Sequence, residues 1–163
     1  MNQELARRGA TEQGGKYLVF ALEPNQYAVP IQSVREIIAM HDITPLPRMP
    51  HCVRGVINLR GRIIPVADLR RSLGMSERDA TNVSCIIVTE TEADEDGTVT
   101  PIGCIVDSVC EVREIGRDTI QSPPQGSEGG YVDGLVRTDE TVVALLQLET
   151  LFASMGIGSQ NFG

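Results

Sequence analysis

The sequence has no tryptophan, three tyrosines, three phenylalanines and two histidines among its 163 residues. Few aromatic rings leave few platforms for stacking nucleobases, and a net charge of −8 disfavours general nucleic-acid binding. No apolar run approaches the ~18 residues of a membrane-spanning helix, and residues 1–15 lack the apolar core of a signal peptide. We therefore expect a cytoplasmic protein with no direct membrane insertion and no nucleic-acid partner.

Residues for metal binding or catalysis are also scarce. The four cysteines are Cys52, Cys85, Cys104 and Cys110. They contain no CxxC pair and no His/Cys spacing typical of zinc, so we expect free thiols in a reducing compartment. His51 adjoins Cys52, but neighbours in an extended segment point to opposite faces, which disfavours a thiol-dependent enzyme. Residues 55–61 also lack the lysine and helix of a phosphate loop. We expect no catalytic residue, metal or cofactor.

Apolar runs and turn residues predict strands in the first half. Lys16–Glu23 (KYLVFALE) and Tyr27–Ile31 flank a turn and predict a hairpin. Ser33 and Glu36 have capping-box spacing, which predicts one helical turn that passes into a strand through Ile37, Ile38 and Met40. Three prolines between residues 45 and 50 then predict an extended connection.

The segment from Gly55 to Arg70 reads GVINLRGRIIPVADLR. It predicts strands over 56–59 and 62–66, joined by a two-residue turn at Arg60-Gly61 in which Gly61 takes a positive φ. The apolar residues Val56, Ile57, Ile63 and Ile64 are expected to serve the barrel. Pro65 places the second strand at an edge or at a bulge, since proline has no donor N–H. Asp68 is expected to cap a short helix that Gly74 ends.

The second half repeats this plan. Strands are predicted over 83–91 and 99–106 around an acidic, solvated tip between Glu90 and Thr98, then over 109–115, and a hairpin over 131–137 and 141–146 precedes a helix. A shift of 79 positions places Gly55 on Gly134 and Leu69 on Leu148, and VREI at 34–37 recurs at 112–115. We therefore predict a mainly all-β fold of two small barrels, over 16–80 and 81–154, with strand exchange between them left open. The linker is 76–82, and 1–15 and 155–163 are flexible tails.

Charge is distributed unevenly between the two halves. Residues 1–81 carry 11 basic and 8 acidic side chains, whereas residues 82–163 carry 3 basic and 14 acidic ones. All the basic residues except Lys16 are arginines, which favour recognition of carboxylates at interfaces. We expect an arginine-rich first barrel, an acidic second barrel and contacts with other proteins.

Two segments of the motif, GVINLRG and IIPVADLR, resemble the signature of the CheW family of chemotaxis coupling proteins. KYLVFALEPNQYAVPI, GCIVDSVCEV and YVDGLVRTDETVVALLQLETLF resemble other parts of that family, so the resemblance covers about residues 16–154. It implies two SH3-like five-stranded β-barrels. It also implies a non-catalytic adaptor that couples the cytoplasmic tips of chemoreceptors, the methyl-accepting chemotaxis proteins, to the regulatory domain of the histidine kinase CheA.

By the same resemblance, the receptor-binding residues are Val34, Glu36, Gly55, Asn58 and Arg60, and none is assigned to the kinase. We expect Glu36 and Arg60, on neighbouring strands of the first barrel, to form a surface ion pair. The simpler interpretation is that Glu36 only caps a turn and Arg60 is a solvated loop residue. A tandem small-barrel nucleic-acid-binding module and a thiol-dependent enzyme are the alternative functions.

Overall fold

The computed structural model describes residues 14–90, 99–125, 130–139 and 141–156. The first five strands are β1 (Gly14–Leu22), β2 (Asn25–Pro30), β3 (Val34–Ala39), β4 (Val53–Leu59) and β5 (Arg62–Asp68). The others are β6 (Cys85–Glu90), β7 (Pro101–Val106), β8 (Ser108–Gly116), β9 (Ile120–Gln121), β10 (Val132–Thr138) and β11 (Thr141–Leu146). The helices are α1 (Leu69–Ser72) and α2 (Leu148–Ser154), with single 3₁₀ turns at Ile31–Ser33 and Arg117–Thr119. The mainly all-β class is confirmed.

The strands form two sheets, and each sheet takes strands from both halves of the chain. One has the order β3-β6-β7-β5-β4 and is called the five-stranded barrel; the other has the order β8-β1-β2-β11-β10-β9 and is called the six-stranded barrel. The sheets therefore do not follow the sequence division near residue 80. Hairpin β1–β2 pairs with β8 and β11, and hairpin β6–β7 pairs with β3 and β5, so the two repeats exchange their first hairpins.

Each sheet closes on itself at the same point of the repeat. In the five-stranded barrel, the chain after β3 reaches β4 at the opposite edge, where Thr44 and Val56 exchange two backbone hydrogen bonds of 2.9 Å. In the six-stranded barrel, β8 continues through a 3₁₀ turn into β9, which pairs with β10 at Leu135 and Val136. A shift of 79 positions carries Val56 onto Leu135. Closed sheets leave few unpaired strand edges.

The internal repeat extends to irregularities of the backbone. The pairing of β4 with β5 shifts between Val53 and Gly55, and the pairing of β10 with β11 shifts between Val132 and Gly134. These positions are equivalent under the shift of 79. The helix caps recur as well, because the side chain of Asp68 caps α1 and that of Gln147 caps α2. A bulge and a cap repeated in register support duplication of one structural unit.

The apolar run in β1 is continuous because both faces of the strand are buried. Tyr17 and Val19 point into the core of the six-stranded barrel, whereas Leu18 and Phe20 join a second core that lies between the two barrels. That shared core also holds residues of β6, β7 and both helices. A strand buried on both faces shows no polar alternation. The predicted hairpin is confirmed, with its first strand beginning two residues earlier, at Gly14.

Two local predictions are wrong, and a third, for Pro65, is wrong in part. Ser33 ends a 3₁₀ turn and Val34 already belongs to β3, so Glu36 caps no helix; the β-branched residues of VREII favour a strand. Pro65 is not on an edge strand, because β5 lies between β7 and β4, but the pairing of β5 with β4 has a bulge at residues 53–55, opposite the residues that follow Pro65. Pairing with β7 begins only at Val66 and needs no N–H from Pro65. Met155 is buried rather than part of a tail. The rest of the predicted tails, 1–13 and 157–163, and the acidic tip at 91–98 lie outside the described residues.

Candidate partner-binding site

The turn between β4 and β5 is a tight hairpin that presents one arginine. Arg60 and Gly61 have φ values of +51° and +87°, the signs that a two-residue turn of this hand requires. The side-chain Oδ1 of Asn58 accepts a hydrogen bond of 2.9 Å from the Gly61 N–H. The turn is therefore fixed from inside by Asn58, while two-thirds of the Arg60 side chain stays exposed.

The predicted ion pair is present: the guanidinium Nη2 of Arg60 donates to Oε2 of Glu36. This hydrogen bond, followed by the carboxylate charge, raises the pKa of Arg60. The sequence predicts that Glu36 and Arg60 lie on neighbouring strands. In the hydrogen-bonded order of the sheet, however, β3 and β4 lie at opposite edges. Closure of the barrel, rather than strand pairing, brings Glu36 to the turn. The Glu36 side chain is one-quarter exposed, so it is the more enclosed partner of the pair.

Gly55 and Val34 have roles inside the barrel. A Cβ on Gly55, at φ +147°, would lie 2.2 Å from the carbonyl oxygen of Thr44. Gly55 therefore permits the close approach that shuts the barrel. Val34 is half-buried, pairs with Thr89 and packs against the shared core. Of the five predicted site residues, the structure brings Glu36, Asn58 and Arg60 to the exposed turn, and the other two support its framework.

Sequence reasoning missed one apolar residue of this surface. Ile63 is expected from the sequence to serve the barrel, but it is 66% exposed, whereas its neighbour Ile64 is buried. Alternation along a strand gave the signal, since an inward Ile64 requires an outward Ile63. Arg62, which is also exposed, precedes it. The turn thus combines a cation with apolar area, a composition common at contact surfaces between proteins.

The expected difference in charge between the barrels becomes smaller, but keeps its direction, once strands are assigned to them. Residues 31–106, which include the five-stranded barrel, carry eight arginines against ten acidic residues. Residues 14–30 and 107–156 carry four basic residues against ten acidic ones. Four of the ten acidic residues in 31–106 lie in the segment 91–98, outside the described residues, so the segments of the six-stranded barrel are the more acidic ones.

The thiols are poorly suited to nucleophilic chemistry. Burial raises the pKa of Cys52, and full burial raises that of Cys104 to about 12. Cys52 is buried while His51 is exposed, so the two side chains lie on different sides of the backbone. A raised pKa keeps a thiol protonated and unreactive.

In the described part of the chain, no three His, Cys, Asp or Glu side chains cluster as metal ligands would. Glu90, at the start of the acidic segment, pairs instead with Arg35 at 2.6 Å.

Among the described residues, no helix has the length and apolar content needed to cross a membrane. The longer of the two α-helices in that part of the chain, α2, has seven residues.

Comparison with known proteins gives a consistent result. Residues 16–155 match the family model of the CheW-like domain. The chain is 33% identical over 145 residues to a probable chemotaxis protein CheW of Rhizobium etli, covering 86% of this chain and 90% of that protein. It is also 33% identical to the chemotaxis protein CheW of Thermotoga maritima, covering 86% and 89%.

The fold agrees with a solved structure. The scaffolding protein TtCheW of Thermoanaerobacter tengcongensis superposes with a TM-score of 0.75 at 34% identity, covering 85% of this chain and 88% of that one. The resemblance first seen in the motif around Arg60 therefore holds over nearly the whole chain. This chain belongs to the CheW-like family.

Proposed function

We propose that the protein is a non-catalytic adaptor of chemotaxis that couples chemoreceptors to the histidine kinase CheA. The observation that carries this proposal is an exposed, ion-paired arginine on a tight turn in a chain of the CheW-like family. Both partners belong to signalling arrays at the membrane, so the adaptor would act on the cytoplasmic side without inserting into the bilayer. Its work would be binding alone, which needs neither an activated thiol nor a cofactor.

We place the receptor contact at the turn, with Arg60 and Glu36 at its centre and Asn58, Gly55 and Val34 in support. A guanidinium has five N–H donors, and the contact with Glu36 leaves donors for an acceptor on the partner. Glu36 restricts the directions in which those donors point. Exposed Ile63 would add apolar contact area beside them. The pair therefore contributes orientation and specificity more than stability.

Substitution of Arg60 tests the site. Arg60→Ala should leave the melting temperature nearly unchanged, because the side chain is exposed, while receptor cytoplasmic fragments are pulled down less efficiently. Arg35→Ala is a matched control, since it breaks another exposed ion pair of the same barrel, with Glu90. Unfolding of the Arg60 variant, or binding equal to that of the control, would contradict the assignment.

Capture of partners from native cells tests the wider function. The purified protein should retain a histidine kinase and a receptor. Recovery of nucleic acid without them would favour the tandem-barrel alternative, and turnover that depends on a thiol would favour an enzyme.

A further inference from the structure

A polar network lies where the chain passes from the five-stranded barrel to the six-stranded barrel. Asp107 is the single residue between β7 and β8, which belong to different sheets. Arg70, in α1, donates from Nη1 to Oδ2 of Asp107 at 2.8 Å. The two side chains are only 11% and 15% exposed. Charge-assisted hydrogen bonds of this kind are stronger and more directional than neutral ones, and partial exclusion of water strengthens them further.

The same two side chains hold the turn of the exchanged hairpin β1–β2. The N–H of Glu23 donates to Oδ2 of Asp107 at 2.7 Å, and the carbonyl of Glu23 accepts from Nη1 of Arg70 at 3.1 Å. The N–H of Asp107 donates to the carbonyl of Ala21 at 3.0 Å. An arginine of the five-stranded barrel therefore binds the backbone of the six-stranded barrel directly.

A third segment joins the network. After α1, the chain runs from Leu73 to Ser84 without a strand or helix before it enters β6. The Nε of Arg70 donates to the carbonyl of Ser76 at 2.7 Å, and Nη1 of Arg78 lies 3.4 Å from Oδ2 of Asp107. One guanidinium thus fastens the connecting segment, the crossing point and the hairpin turn together.

The network occurs at only one of the two points where the described chain crosses between the barrels, the crossing from β7 to β8. The repeat places Glu149 at the position equivalent to Arg70. Glu149 carries the opposite charge and cannot bind a carboxylate as Arg70 does. The other crossing between the barrels, from β2 to β3, runs through the 3₁₀ turn Ile31–Ser33, whose ends have no side-chain cap. The duplicated fold is therefore asymmetric at its two crossings.

The shared apolar core and the network do different things. The core holds the barrels against each other, but burial of apolar surface is not directional. Hydrogen bonds from a planar guanidinium have fixed directions. We propose that Arg70 and Asp107 are positioning residues that fix the angle between the two barrels. Where the function proposed above holds, this angle determines how the Arg60 turn and the six-stranded barrel are presented to their separate partners.

The angle can be measured without any partner. Residual dipolar couplings of the weakly aligned protein should fit one alignment tensor across both barrels. In Arg70→Met and in the milder Asp107→Asn, we expect the couplings of each barrel to keep their own internal fit while the two tensors differ in orientation. Arg35→Met, which breaks a pair within the five-stranded barrel, should keep the unchanged angle.

Amide exchange gives a second readout. The Glu23 N–H donates to a carboxylate, and a bond of that kind commonly contributes enough to slow exchange about tenfold or more. We expect this amide to lose that protection in Arg70→Met and to keep it in Arg35→Met. Arg70→Met should also bind receptor fragments normally while stimulating the kinase less. One common tensor in both network variants would overturn the proposal even where the melting temperature falls. The Arg60→Ala pull-down tests the receptor site separately.

Discussion

Replacing Gly55 by alanine should open the five-stranded barrel. The added Cβ would meet the carbonyl oxygen of Thr44 at 2.2 Å and its carbonyl carbon at 2.7 Å. These are backbone atoms of the segment after β3 that closes the barrel, so they cannot turn away as a flexible side chain could. The φ of +147° is in addition a conformation that L residues rarely adopt.

The cost follows from these two effects. The backbone conformation costs an alanine about 1–3 kcal/mol. Displacing Thr44 would break its two backbone hydrogen bonds with Val56, each of which contributes about 0.5–1.5 kcal/mol. The free energy of unfolding should therefore fall by on the order of 4 kcal/mol. For a chain of this size that corresponds to a melting temperature lower by roughly 8–16 °C. Chemical and thermal denaturation followed by circular dichroism measure both quantities.

Gly61→Ala is the matched control. Gly61 also has a positive φ, +87°, but an added Cβ there would meet nothing within 4 Å. It should carry only the conformational cost, about 1–2 kcal/mol. The gain from a less flexible unfolded chain is common to both variants. If Gly55→Ala loses no more stability than Gly61→Ala, the close approach to Thr44 does not limit the barrel and the reasoning fails.

Two further predictions concern stability. Asp68→Ala should lower the free energy of unfolding by about 0.5–2 kcal/mol, because Oδ1 caps α1 through the Arg70 N–H, whereas Asp68→Asn should retain most of it. Equal losses in urea denaturation would refute the capping role. The pKa of Cys104 rises on folding from 9.0 to about 12, so the unfolded chain loses this proton first. The free energy of unfolding should therefore fall as pH rises from 9.0 towards about 12, and it should fall less steeply in Cys104→Ala. The same dependence on pH in both proteins would refute a contribution from Cys104.

Local features of the fold were predictable because they depend on neighbouring residues. The turn at Arg60-Gly61, the cap at Asp68 and the end of α1 before Gly74 each follow from the conformational preferences of one or two residues. The repeat was visible for the same reason, since its bulges and caps use the same residue types at a constant offset.

Partners distant in sequence could not be predicted in this way. Nothing in Lys16–Leu22 indicates that β1 pairs with β8 rather than with a strand of its own half. The capping-box pattern misled because Glu36 contacts a turn 24 residues away instead of its own backbone. Arg70 and Asp107 stand next to apolar runs in the sequence, so each can be noticed there as a charge at the end of a predicted strand. Their mutual contact, however, depends on the exchange of hairpins.

That exchange has a consequence for synthesis of the chain. Hairpin β1–β2 leaves the ribosome before its partners β8 and β11, which come from residues 108–116 and 141–146. At the usual speed of translation, β2 waits on the order of ten seconds for β11. During that time Tyr17, Leu18, Val19 and Phe20 lie in a hairpin that is apolar on both faces and whose outer edges have no partner strand. The five-stranded barrel, whose last strand is β7, can therefore close before the six-stranded one. Until β11 is made, the apolar hairpin β1–β2 is the segment that we expect a chaperone to bind.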